Sequence, residues 1–294
     1  MTNRRQFLFQ STGLLAGAAF SSSALALQAN NRYRSQIVVQ LYTLRNELKK
    51  NEKETLQAVK DAGYFQGETY GFPNSIEMIT PARDVGLEVH SSHFNWESVT
   101  DPDKEGVEAF DSILAKAKEA ELKHLVIPYV HAHNRETLED YQLLAERCNK
   151  AAVKCKEAGI QLAYHNHAFE FEPKNDEGKS GFDIFVDEFA PEMKFEIDLF
   201  WVVVGGRNGI ETLNSLKGRV SQLHLKDLSK EAKTPNFGSV PKEHFEELGD
   251  GQIAMEPFLK AAADLGVDIC HVEQDHSPHP VKSIQQSFNY LKGL

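Results

Sequence analysis

Four stretches of this chain each end an apolar run with groups able to bind a metal ion. Ile160-Gln161-Leu162-Ala163 runs into Tyr164-His165-Asn166-His167, and Phe195 into Glu196-Ile197-Asp198. A run starting at Val220 ends in His224-Leu225-Lys226-Asp227, and one through Ile269 ends in Glu273-Gln274-Asp275-His276. Residues two apart on a strand share a face, so His165 points with His167, Glu196 with Asp198, and His224 with Lys226. One strand-end histidine usually means a hydrogen-bonded rim residue. Imidazoles and carboxylates at one level on four successive strands mean a ligand cluster. The set read from this spacing is His165, Asp198, His224 and Glu273, with His167 as an alternative to His165. Two nitrogens and two oxygens suit one divalent ion of the Mn²⁺, Co²⁺, Zn²⁺ or Fe²⁺ type better than Ca²⁺. No thiolate is placed to join them, and Cys148, Cys155 and Cys270 read as buried packing residues.

These side chains need a scaffold that brings strand ends together. From residue 35 onward a helical stretch repeatedly closes on a small or flexible residue before a short apolar strand. Lys53–Ala62 closes on Gly63, Ile76–Val85 on Gly86, Glu136–Ala158 on Gly159 and Met255–Leu265 on Gly266, while Glu105–Ala120 leads to Leu125-Val126-Ile127. Glycine just past a helix end is the usual left-handed cap. Strands are expected near Ile37, Gly67, Leu87, Leu125, Leu162, Phe195, Val220 and Ile269. Eight alternating units in a chain of this length match a single-domain (β/α)8 TIM barrel, which typically needs about 250 residues. An open doubly wound sheet would usually follow its first strand with a glycine-rich phosphate turn, and Val38 to Arg45 carries none. In a barrel the chemistry sits at the C-terminal strand ends. Those ends also offer Gln40, Tyr42, Glu68 and His93. His131, His133, His276 and His279 fall in polar loops and read as rim residues. Lys226–Gln252 is the longest irregular stretch and would lie on the same face, as a lid or rim.

The formal charge is −11, and residues 1–29 hold only Arg4 and Arg5 among charged residues, so their removal makes the chain more acidic still. An acidic surface argues against nucleic acid and against anionic membrane surfaces as partners. The N-terminus pairs Arg4-Arg5 with Phe7-Leu8, then a short apolar stretch from Leu14 to Phe20, then Ala24-Leu25-Ala26. That order makes residues 1–29 a cleavable twin-arginine export signal, with 30–294 as the barrel. The stretch is short and Ala/Ser-rich for a membrane span, so no stable membrane anchor is expected. The protein is therefore expected in the periplasm or otherwise exported. A homo-oligomer is left open.

Several of these segments resemble the xylose-isomerase-like barrel superfamily, and within it the sugar phosphate isomerase/epimerase proteins. The resemblance is carried by Val39-Gln40-Leu41-Tyr42-Thr43-Leu44-Arg45, by Ala163 through Phe171, by Glu196 through Trp201, by His224-Leu225-Lys226-Asp227 and by Val272-Glu273-Gln274-Asp275. It covers essentially all of the chain after residue 29. It implies a ligand order of Glu or His, then Asp, His and Glu, from strands five to eight. His165 departs from the glutamate that many epimerases carry there, where it also transfers a proton. The resemblance thus implies a metal-dependent sugar isomerase or epimerase working by proton abstraction beside a carbonyl, through an enediolate. The departure opens the alternative of a 3-keto-sugar or glycoside lyase or dehydratase, and a non-catalytic sugar-binding barrel is a third reading. In this scheme Glu273 takes the proton, His167 or Glu170 returns it, and Lys226 either neutralises charge on the substrate or forms an interior ion pair with Asp227 or Glu196. Gln40, Tyr42, His93 and Trp201 would contact a small carbohydrate. A free sugar, ketosugar or glycoside suits an exported enzyme better than a sugar phosphate.

Overall fold

The computed structural model describes residues 32–34 and 36–294. The expected export segment, residues 1–29, lies outside them. Eight parallel strands close into a barrel: β1 (Val38–Gln40), β2 (Gln66–Phe72), β3 (Glu88–Phe94), β4 (His124–Ile127), β5 (Gln161–His165), β6 (Lys194–Asp198), β7 (Val220–Leu225) and, after a two-stranded excursion, β10 (Cys270–Val272). Each strand pairs with its sequence neighbour, and β1 pairs with β10 to close the ring. Parallel neighbours need crossovers, and the helices that supply them cover the outside, so the strands are buried on both faces. Between barrel and helices sits one apolar layer that includes Leu125, Leu162, Phe195, Leu223 and Leu225.

Local chemistry marks most junctions. Gly63, Gly86, Gly159 and Gly266 all have positive φ and end the preceding helices, as their spacing suggests. The helix Leu138–Glu157 starts with a capping box in which Thr137 and Asp140 bond each other's backbone. The helix expected over Glu105–Ala120 begins only at Phe110, because the chain turns at Gly106 with φ +82° and enters through an extended Ala109. The first strand is shorter than the run Val38 to Arg45. It stops at Gln40, whose side-chain oxygen accepts from the Tyr42 N–H and starts a 3-10 turn over Leu41–Leu44.

The stretch Lys226–Gln252 is more ordered than its composition suggests. β8 (Asp227–Leu228) pairs antiparallel with β9 (Phe245–Glu246). The Asp227 carboxylate accepts four backbone N–H groups, from Leu228, Gly249, Gly251 and Ile253, at 2.8–3.2 Å. Gly251 makes this possible, since a Cβ there would collide with that carboxylate. The stretch is a pinned rim built against the end of β7. No described helix is long and apolar enough to cross a membrane.

Candidate metal centre at the barrel mouth

Strand register sets the site. Asp198 lies opposite His224 across β6 and β7, and His165 lies opposite Glu196 across β5 and β6. Glu273 follows β10 directly, and its N–H donates to the Leu225 carbonyl at 3.0 Å. Asp198 both ends β6 and caps the next helix, its Oδ1 accepting from the Trp201 N–H at 3.0 Å. Asn166 clamps the Asp198 backbone, accepting from its N–H at 3.0 Å and donating to its carbonyl at 3.3 Å. Among the described residues, Oδ2 of Asp198 is buried without a hydrogen bond, with Lys226 Nζ at 3.2 Å and His165 Nε2 at 3.7 Å.

The side chains fit a divalent ion. Ligand atoms of Asp198, His224 and Glu273 lie within 4.8 Å of one another, and His165 joins His224, His93 and Glu196 in an adjoining group of the same compactness. All four expected ligands are buried, so few waters compete for them. A buried carboxylate oxygen with no hydrogen bond among the described residues, paired with the Lys226 ammonium and facing an imidazole nitrogen, is the donor chemistry an N₂O₂ site uses.

The electrostatics follow from crowding. Lys226 Nζ touches Glu273 Oε2 at 2.8 Å, Asp275 Oδ2 at 3.1 Å and Asp198 Oδ2 at 3.2 Å. Burial alone would lower the Lys226 pKa, but these three carboxylates lift it well above its ordinary value. Its partners are therefore neither Asp227, which is occupied by backbone, nor Glu196. Burial would raise the Glu273 carboxyl, yet Lys226 and His224 hold it well below the usual carboxylate range. Asp275 is pushed up to about 6 by burial, with Lys226 pulling against it. Burial, His165 and Lys226 keep His167 well below an ordinary histidine, so it is neutral. Burial would lower His224 too, but Glu196, Glu273 and Glu68 lift it well above the ordinary histidine value.

The remaining expected residues divide into those the structure brings to this centre and those it does not. His93 is in it, with Nε2 2.9 Å from Glu196 Oε2 and its ring stacked on His224. Trp201 lies beside it, its ring 5.7 Å from Lys226 Nζ and 5.0 Å from the His167 ring. His167 stacks on Phe169, and its buried Nδ1 has no hydrogen-bond partner among the described residues. Gln40 reaches the barrel interior, but its amide is committed to Glu68 at 2.7 Å and to the Tyr42 backbone. Tyr42 does not reach the centre. The turn after Gln40 rotates it to the outer rim, where it is 39% exposed and packs on Tyr70 and under Arg45. Glu170 does not reach it either. It is fully buried, accepting from the Tyr164 hydroxyl at 2.7 Å and the His167 N–H at 2.9 Å. His131 sits against Glu97 and Trp96, His133 is exposed beside Asp101, and His276 packs on Phe245.

Reading strand ends names Glu68 and Glu196 but misses Gln222 and His271 in the layer beneath. Glu68, Glu196, Gln222 and His271 are all 0% exposed inside the barrel. Gln222 and His271 stand two residues before His224 and Glu273, as Glu196 stands before Asp198, so the period-2 rule could have found both as polar residues in apolar strands.

A sequence profile described as the xylose isomerase-like TIM barrel matches residues 43–294. The chain belongs to that family. Among enzymes of known activity, it is 26% identical over 255 residues to an inosose dehydratase of Clostridium perfringens strain 13, covering 78% of this chain and 85% of that enzyme. To the inosose dehydratase of another C. perfringens strain it is 30% identical over 165 residues, and there it spans only about half (54%) of the relative's length. The fold is similar to that of a sugar phosphate isomerase/epimerase from Parabacteroides distasonis, with TM-score 0.71 at 23% identity over 88% of this chain and 94% of that one. It is also similar to that of an L-ribulose 3-epimerase, with TM-score 0.62 at 15% identity over 87% and 93%.

Proposed function

We propose that this barrel is a divalent-metal-dependent carbohydrate enzyme that removes a proton from a carbon beside a carbonyl and expels the neighbouring hydroxyl, a dehydratase. One observation carries the reading: Asp198, Glu273 and Asp275 converge on the ammonium of Lys226, beside two imidazoles. A divalent ion held by His165, Asp198, His224 and Glu273 supplies Lewis acidity toward a carbonyl and the hydroxyl next to it. Glu273, held well below the usual carboxylate range by Lys226 and His224, would take the proton. Lys226, kept protonated, balances negative charge on substrate oxygen and has a proton to give to the leaving hydroxyl. The free Nδ1 of His167 and the faces of Trp201 and His93 orient a polar ring. Export through the Arg4-Arg5 segment would put the enzyme among free keto carbohydrates rather than sugar phosphates.

Dehydration needs one base and one acid, which Glu273 and Lys226 supply. Two-carboxylate epimerisation needs a second proton-transfer carboxylate where this chain has His165. The inosose dehydratases that match most of the chain support the same choice. Isomerisation or epimerisation is the second reading, favoured by the neutral His167, which gives the site another proton-handling group.

The test is metal analysis followed by incubation of the Mn²⁺-loaded protein in D₂O with inosose and a panel of ketoses and 3-keto sugars. Loss of water with an alkene-containing product is the expected result. Deuterium uptake with no loss of water moves the assignment to isomerase. Stoichiometric metal with neither outcome for any keto carbohydrate overturns the reading.

A further inference from the structure

Each candidate histidine ligand spans two layers of the barrel. His165 directs Nε2 toward Asp198 Oδ2 at 3.7 Å and Nδ1 toward Glu196 Oε2 at 3.1 Å. His224 does the reverse, with Nδ1 2.9 Å from Glu273 Oε2 and Nε2 2.8 Å from Glu68 Oε2 and 3.2 Å from Glu196 Oε2. Glu196 and Glu68 are themselves held rigidly. Gln222 Nε2 donates to Glu196 Oε1 at 2.6 Å and to Glu68 Oε1 at 3.3 Å. Gln40 Nε2 donates to Glu68 Oε2 at 2.7 Å, and the Ser91 hydroxyl donates to Oε1. His93 Nε2 ties the two carboxylates together, at 2.9 Å from Glu196 Oε2 and 3.4 Å from Glu68 Oε2.

A neutral imidazole has one N–H and one lone pair. A carboxylate that accepts from one nitrogen fixes the proton there and turns the lone pair of the other toward the metal. We propose that Glu196 and Glu68 are positioning residues that set opposite tautomers in the two ligands, so that the metal is bound by Nε2 of His165 and Nδ1 of His224. This rests on the metal-centre reading above. It also gives Gln40, Gln222 and Ser91 a role, as the frame that keeps the two carboxylates aimed. The same layer has a competing use. Glu68, Glu196, His224 and His271 are close enough to hold an ion of their own, and His271, fully buried, makes no hydrogen bond among the described residues through either ring nitrogen, with Nδ1 3.4 Å from Glu196 Oε1. The two assignments differ in the number of ions and in the nitrogens that bind them.

The experiment uses the whole protein loaded with Zn²⁺ after growth with ¹⁵N-histidine. Wild type is expected to bind one ion per chain, with one histidine metallated at Nε2 and protonated at Nδ1, and one metallated at Nδ1 and protonated at Nε2. Glu68→Gln is expected to perturb only the second pair of resonances, and Glu196→Gln the first pair most strongly, with a smaller shift at His224 Nε2, which lies 3.2 Å from Glu196 Oε2. Each should weaken Zn²⁺ binding roughly 10–100-fold in chelator competition while leaving one ion at saturation. The wild-type spectrum tests the tautomers even where a variant fails to fold. Both ligands metallated through the same type of nitrogen, or unchanged affinity in both folded variants, overturns the inference alone. Two ions per chain with one lost in Glu196→Gln overturns it in favour of a metal site in the lower layer. No bound ion in wild type overturns the metal-centre reading and this inference with it.

Discussion

Glu170 offers a measurable check on how the barrel treats its buried acids. The carboxyl is fully buried, and burial raises its pKa from 4.5 to about 7 against the pull of the Tyr164 hydroxyl and the His167 N–H. In the unfolded chain it titrates as an ordinary glutamate. Between pH 4.5 and 7 the folded protein therefore keeps a proton that the unfolded chain has released, and stability falls as pH rises through that window. A shift of about 2.5 pKa units at ~1.4 kcal/mol each corresponds to about 3 kcal/mol, present in full below pH 4.5 and lost above pH 7. Glu170→Gln removes the titration and keeps the size and an accepting oxygen. Urea unfolding of both proteins from pH 4.5 to 7.5 should show the wild-type advantage over Gln shrinking by up to about 3 kcal/mol as pH rises. A pH-independent difference, or one that grows with pH, would refute the placement of Glu170 in an apolar layer. Because Glu170 lies outside the metal cluster, the variant should also bind one equivalent of metal, and loss of metal would refute that separation.

Lys226→Met leaves Asp198, Glu273 and Asp275 without their common cation, which should cost the metal-free protein about 3–5 kcal/mol. Thermal melts with and without saturating Mn²⁺ should show a larger metal-induced rise in Tm for the variant than for wild type, and equal rises would show that the ammonium and the ion do not share those carboxylates. Asp227→Ala strands four backbone N–H groups of the rim, at about 1–3 kcal/mol for each one left buried without water. Amide exchange should speed up selectively across residues 228–253, and exchange unchanged there would mean that Asp227 does not pin the rim.

The barrel was legible because its signals are local. Glycine after four of the helices, short β-rich runs and capping residues are written within a few positions of the element they define, and the closed eight-stranded ring follows from their alternation. The same is true of the strand-end groups at His165, Asp198, His224 and Glu273. Tyr42 was misplaced for an equally local reason. The run after Gln40 is apolar enough to pass for strand, and only the Gln40 side chain, bonding the Tyr42 N–H, turns it into a helix entry. Glu170 was misplaced because a strand-following glutamate gives no sign of whether it faces the mouth or the helical layer, and the Tyr164 ring that claims it belongs to the outward face of β5.

By itself, then, the sequence determined the fold and the strand ends at which imidazoles and carboxylates gather. Both depend on residue type and short-range spacing. Tertiary structure alone decided which carboxylate meets which ring nitrogen. Glu68 reaches His224 across 156 residues, Gln222 links Glu68 to Glu196, and Lys226 finds Asp275 rather than its neighbour Asp227. Barrel closure sets those partnerships by stacking side chains from distant strands in a space with little water. There each buried charge must be matched, and the match depends on register and layer rather than on proximity along the chain.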